Sequence, residues 1–265
     1  MGIGTCALTL GAAARETALA SGNFIHSFAH SAANEISPIM WNDFMTYAQD
    51  GSFVQACIET LQIVCLTLFV GGLFGLFLGV LLWGTRPGSL FENRLFYRVL
   101  DVCINMIRPI PFIIFLAAAQ PVTIAVIGTS IGTAAVIFPM IIMCANASAR
   151  LVEQNLLSVD AGVIEAARAM GVSRFSIIAT ILVPEALAPL ILSYAFLFIS
   201  VLDMSAMAGY IGGGGLGNFA IAYGYQKFNP CVTWACVIIM IVLVQIVQIS
   251  SNAIANHILH KRQHI

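Results

Sequence analysis

The sequence predicts an all-α integral membrane protein with five transmembrane helices, its N-terminus outside and a two-helix elbow on the cytoplasmic side. Three observations carry this. Hydrophobic residues make up 60% of the 265 positions and charged residues only 9%. Long stretches contain no Asp, Glu, Lys or Arg, and Lys and Arg gather in alternate connections. A soluble domain carries about a quarter charged residues, so this chain has too little polar surface to coat a water-soluble globule. A net charge of −1 without a long basic run gives no nucleic-acid footprint.

Residues 1–40 read as an N-terminal extension of polar and small residues, expected to be loosely ordered, ahead of a single transmembrane domain over 41–265. The opening MGIGTCALTLGAAARETALASG lacks a basic segment before its short apolar stretch, which argues against a cleaved signal. Its Met-Gly start is weak ground for lipidation. Next, Trp41, Phe44, Met45 and Ala48 fall at i, i+3, i+4 and i+7. That spacing predicts an amphipathic helix over 41–50, closed by Asp50-Gly51 and lying along the outer interface with Trp41 as anchor.

A spanning helix needs about 20 apolar residues. The run from Glu59 to Arg86 supplies the first span, about 60–83, with Gly71, Gly75 and Gly79 aligned on one face for close packing. Between Arg108 and Arg150 there is no Asp, Glu, Lys or Arg. As one helix that stretch would be ~62 Å long at 1.5 Å per residue, so a break is expected at Pro121 and Gly128. The second span is then about 99–119, kinked at Arg108–Pro111, and the third about 128–149. The fourth runs about 185–205 and the fifth about 231–256. Arg86, Arg94, Arg98, Arg150, Arg168, Arg174, Lys261 and Arg262 all fall on one side, which is therefore cytoplasmic. Asp101 and Arg108 stand two turns apart on one face of the second span, where Arg108 would hold it to its neighbours.

Between the third and fourth spans, segment 158–184 leaves the membrane. Asp160 can cap a helix over 161–170, with Gly171 as its left-handed terminus. Ser173 can cap a second helix over 174–182, ended by Pro184. Val163, Ala166, Ala167 and Met170 would form a small-residue face, opposed by Glu165 and Arg168. Two capped helices meeting at a glycine make a stiff elbow whose alanines let another protein's surface come close.

The stretch EAARAMGVSRFSIIATILVP resembles the cytoplasmic signature of ABC-importer permeases. Glu165, Ala166, Ala167, Gly171, Ile181 and Pro184 fit that signature, and Val183 replaces its leucine. The resemblance covers about 41–265 and narrows to the methionine-importer (D-methionine) permeases through LLWGTRPGSL, RPIPFIIF, VIGTSIGTAAVIFP, ARLVEQNLL and SAMAGYIGGGGLGNFAIAYGYQKFN. It implies the type I ABC-importer permease fold in a bacterial cytoplasmic (inner) membrane. The partners it implies are a second copy of the chain, two cytoplasmic ATPases carrying ATP and Mg, and an extracytoplasmic methionine-binding lipoprotein. Residues Glu165, Ala166, Ala167, Arg168, Met170, Gly171 and Pro184 would then couple to the ATPase. Met207 would help close the outer end of the path, beside Ser205 and Asp203. Asp203, an acid inside an apolar run, departs from the family pattern; it would line the vestibule and meet either a substrate ammonium or a neighbouring chain. Residues 1–40 are a second departure.

Competing chemistries find little support. IGGGGLGN, residues 211–218, lacks the Lys-Ser/Thr of a phosphate loop and reads as a tight re-entrant turn folding back against the other subunit. The seven cysteines include no C-x-x-C pair and read as packing residues. The histidines, His26 and His30 at one end and His257, His260 and His264 at the other, read as interfacial polar residues, so no metal or other cofactor is expected in this chain. There is no ATP motif and no paired catalytic constellation, so hydrolysis would occur on a partner and the chain would be no enzyme. Phosphonate, taurine or another amino acid remains an alternative substrate. A self-contained secondary transporter or channel is the other class, which would favour inverted repeats or several intramembrane ionisable groups.

Overall fold

The structure, a computed structural model, describes residues 38–263, and the side chains of 41–260. The expectations for the rest of the N-terminal extension, including His26 and His30, and for His264 lie outside the described residues. Eleven helices appear in this range, which we number α1 to α11: α1 (Pro38–Gln49), α2 (Ser52–Thr85), α3 (Arg94–Ile107), α4 (Phe112–Ile127), α5 (Thr133–Leu157), α6 (Ala161–Ala169), α7 (Arg174–Ser176), α8 (Val183–Glu185), α9 (Leu187–Tyr210), α10 (Gly215–Phe219) and α11 (Pro230–Gln263). Two π-helical segments, Ile177–Leu182 and Ala220–Tyr225, join α7 to α8 and extend α10.

Among the described residues, α2, α5, α9 and α11 are long and apolar enough to cross a membrane, and the bent pair α3 and α4 raises the number to five if counted as one span. The expected second span is corrected here: α3 and α4 meet at 111° around Arg108–Pro111, a sharp turn instead of a kink. Pro109 and Pro111 withhold two backbone donors within three residues, so no helix can run through. Pro121, expected to mark the next break, sits inside α4; the break comes at Gly128, whose φ of 88° ends the helix. Helix α2 also starts earlier than the apolar run suggested, because Gln55 and Glu59 are helical and find partners within the protein.

The centre of the fold is the α2–α5 pair. Gly71, Gly75 and Gly79 face Cys144, Ser148 and Val152, so two four-residue ridges interlock. A Cβ on Gly71 would stand 2.8 Å from the Cys144 Cβ, and one on Gly79 would stand 2.6 Å from the Val152 Cβ. Helix α9 joins this pair where the Tyr194 hydroxyl donates to the Gly72 carbonyl at 2.8 Å and the Ser148 hydroxyl donates to Tyr194 at 3.0 Å. Around that junction Ile63, Val64, Met140, Leu197 and Val201 form the buried core.

Helix α3 docks on α5 through charge. One Arg150 guanidinium reaches Asp101 at 2.6 Å, Asn105 at 2.7 Å and Glu153 at 2.5 Å, and the Tyr97 hydroxyl donates to Glu153 at 3.3 Å. Asn146 donates to the Ile104 carbonyl in the last turn of α3 at 3.1 Å. The expected role of Arg108 is thereby reassigned: Arg150 pins this element, and Arg108 is exposed. Helix α1 folds against the protein as well as presenting the exposed Trp41. Phe44 meets Phe53 with centroids 5.4 Å apart, and Tyr47 meets Tyr223 at 4.9 Å.

Candidate coupling surface and gate

The elbow is built by local chain chemistry. The Asp160 carboxylate accepts from the Gly162 N–H at 2.6 Å and so caps α6. At the other end Gly171 adopts φ 77°, the Gly171 N–H donates to the Arg168 carbonyl, and the Val172 N–H donates to the Ala167 carbonyl. This pair of bonds is a Schellman motif, which satisfies orphan carbonyls and brings the residue after the glycine against the last turn. Ser173 then caps α7 by accepting from the Ser176 N–H at 3.3 Å. Pro184, expected to end the second helix, does not: helical structure continues through Glu185 and changes at Ala186. The π-helical turns of Ile177–Leu182 precede the proline and widen the backbone where its ring would meet the carbonyl four residues earlier.

The elbow is fused to the membrane helices from below. Ala167, Ile177, Leu182 and Leu190 share one buried cluster with Trp83 of α2 and Leu156 of α5. This divides the predicted coupling residues into two sets. Ala167 is 1% exposed and lies within that cluster, so it cannot present a face to another protein. Glu165, Ala166, Arg168 and Met170 are exposed. Phe175, which the sequence reading did not single out, is 76% exposed and stands with Met170, at 74%, on either side of the Gly171 turn. Val163 adds a third exposed apolar side chain on α6. The Phe175 ring leans on Phe91 at 5.1 Å, and the Arg174 guanidinium covers Phe91 at 5.7 Å. An aromatic residue two positions after the second cap was the readable sign. Beneath the elbow a cavity of about 260 Å³ is lined by Arg86, Ser89, Glu165 and Arg168, among others. In the adjoining loop Arg94 and the Gly88 N–H hold the Glu92 carboxyl below its ordinary range.

The predicted gate residues lie on α9. Phe196, Asp203, Met207 and Tyr210 are all exposed along one face, and Asp203 and Met207 are one helical turn apart. Ser205 is 2% exposed and points the opposite way, so the structure separates it from this group. Within this subunit the glycine-rich run folds back on itself and on α9: a Cβ on Gly213 would stand 2.7 Å from the Ala208 carbonyl oxygen, and Gly217 lies directly against Ala206. Its first two helical N–H groups are taken by α2, with Gly215 donating to Glu59 Oε2 at 3.0 Å and Leu216 to Thr60 Oγ1 at 2.7 Å. Neither Glu59 nor Thr60 belongs to a motif that would mark it as an acceptor in the sequence. Among the described residues no three His, Cys, Asp or Glu side chains gather as metal ligands.

Residues 71–260 match the family model described as the binding-protein-dependent transport system inner membrane component. The chain is 39% identical over 203 residues to the probable D-methionine transport system permease protein MetI of Vibrio cholerae, covering 77% of this chain and 90% of that one. It is 39% identical over 182 residues to the methionine import system permease protein MetP of Bacillus subtilis, covering 69% of this chain and 82% of the relative. Among solved structures, an inward-facing conformation of the MetNI methionine ABC transporter matches with a TM-score of 0.76 at 36% identity, covering 84% of this chain and 98% of that chain.

Proposed function

The chain belongs to the family of binding-protein-dependent transport system inner membrane components, and from that membership we propose that it is the membrane-spanning subunit of an ATP-driven methionine importer. It is a transport subunit and not an enzyme. In this reading two copies form the path, each with its N-terminus outside and its elbow in the cytoplasm, in a bacterial inner membrane. Two ATPases dock on the elbows and hydrolyse MgATP. A methionine-binding lipoprotein delivers solute from outside.

The observation that carries the proposal is the exposed apolar tip of the elbow, Val163, Met170 and Phe175, on a base whose inner side is buried against α2, α5 and α9. Water-facing Met and Phe on a rigid support favour a docked protein, since burying each is worth about 1.5–3 kcal/mol. Force applied there would pass to three spanning helices because Ala167, Trp83, Leu156 and Leu190 pack in one buried cluster. ATP-driven closure of the two motors would thus rock both subunits about their common axis and alternate access to the path. Asp203 and Met207 share an exposed face of α9 on which a second copy can close, and Asp203 there offers a carboxylate to the ammonium of an amino acid.

The test is reconstitution with the cognate ATPase and binding protein, followed by uptake of labelled methionine in competition with taurine and phosphonate. ATP-dependent uptake competed only by methionine is expected. Uptake by this chain alone, without the ATPase, would overturn the proposal. Asp203→Asn is expected to lower uptake, and unchanged uptake would remove Asp203 from the path.

A further inference from the structure

The segment Gly215–Phe219 has no cap of its own: Gly214 precedes it and offers no side chain. A helix start leaves N–H groups that must find acceptors elsewhere. Here both acceptors come from one place 156 residues away in the chain, Glu59 for the Gly215 N–H and Thr60 for the Leu216 N–H. Neither acceptor is casual. The Thr60 hydroxyl is buried and donates to the Ala56 carbonyl at 3.0 Å, so its single proton is committed and its lone pair faces Leu216. The other Glu59 oxygen accepts from Gln55 at 3.1 Å, which fixes the carboxylate along α2. No side chain intervenes: a Cβ on Gly215 would stand 2.6 Å from the Thr60 hydroxyl and one on Gly214 would stand 3.0 Å from Glu59.

On its other side the same segment supports the end of α9 remote from the elbow. Gly217 lies against Ala206, and Gly209 lies against Gly217 and Asn218, so α10 touches α9 just before and just after Met207. We propose that Glu59 and Thr60 are positioning residues, a latch that clamps the re-entrant segment onto α2 and thereby fixes how α9 presents Met207. The gate half of this proposal rests on the importer reading above; the latch half does not. Releasing the latch frees α10, and with it the last turns of α9, while the α2–α5 pair stays packed through Cys144, Ser148 and Val152.

The full chain, assembled with its ATPase in lipid vesicles, tests this by hydrogen–deuterium exchange and by passive leak of labelled methionine. Glu59→Ala and Thr60→Val are expected to speed exchange in residues 211–219 about tenfold and to raise leak, with exchange in α5 unchanged as the control for folding. Glu59→Gln keeps an acceptor oxygen and Thr60→Ser keeps the hydroxyl, so both are expected within about twofold of the parent. Parent-like exchange in Glu59→Ala overturns the latch, as does a Glu59→Gln variant as loose as Glu59→Ala. If the unsubstituted assembly takes up no methionine, the importer reading fails, and the exchange arms still decide the latch by themselves.

Discussion

Ala167 in the last turn of α6 and Met170, which caps it, are three residues apart and face opposite surroundings. Ala167 sits inside the cluster that binds the elbow to α2 and α5, whereas Met170 projects into water beside Phe175. Changes at the two places should therefore differ in kind. Met170→Ser with Phe175→Ser is expected to leave thermal melting nearly unchanged while weakening ATPase attachment at least tenfold in pull-down, since each lost apolar contact is worth about 1.5–3 kcal/mol. Ala167→Leu is expected to lower the melting temperature instead, overpacking costing about 1–3 kcal/mol. Arg150 raises a separate residue-scale point. Glu153, 2% exposed, would lose its cation in Arg150→Ala and keep only Tyr97. Stranding a buried charge costs about 3–5 kcal/mol, so this variant should melt well below Asp101→Asn, which retains an acceptor for the guanidinium.

At the scale of elements, the α2–α5 ridge sets the tolerance of the fold. A side chain on Gly75 would overlap Ser148, and Gly75→Val is expected to reduce the yield of folded protein and its melting temperature more than Gly84→Ala near the end of α2, where a Cβ meets only the Phe91 ring at 3.8 Å. The glycine spacing was readable in the sequence because four-residue periodicity places those positions on one face. The caps at Asp160 and Ser173 and the left-handed Gly171 were readable for the same local reason. What escaped the sequence was settled across distance. Glu59 looked like the polar edge of a span, but its partner is 156 residues away. Asp101 had a basic residue two turns along its own helix, yet it pairs with Arg150 on α5, and Arg108 at the C-cap stays exposed. Ala167 was placed on an outer face because spacing alone cannot tell which side of a short helix the Schellman turn folds inward.

For the whole molecule, the two 34-residue helices α2 and α11 hold a consequence. Each is about 51 Å long at 1.5 Å per residue, and the apolar stretches within them, residues 60–83 and 231–256, are about 36 and 39 Å, against a hydrocarbon layer of about 30 Å. Hydrophobic mismatch of that sign is absorbed by tilting, at a cost of only fractions of a kcal/mol per Å. Little of α11 is buried, and its contacts with the core around Tyr194 run through Met240, Val244 and Val247, so a lean about that seam is the expected response as the bilayer thins or thickens. Uptake in vesicles of graded acyl-chain length is therefore expected to vary gently, and a sharp optimum at one chain length would show that α11 is held upright. Such slack would let one amino-acid sequence serve in lipid mixtures whose depth shifts with growth temperature.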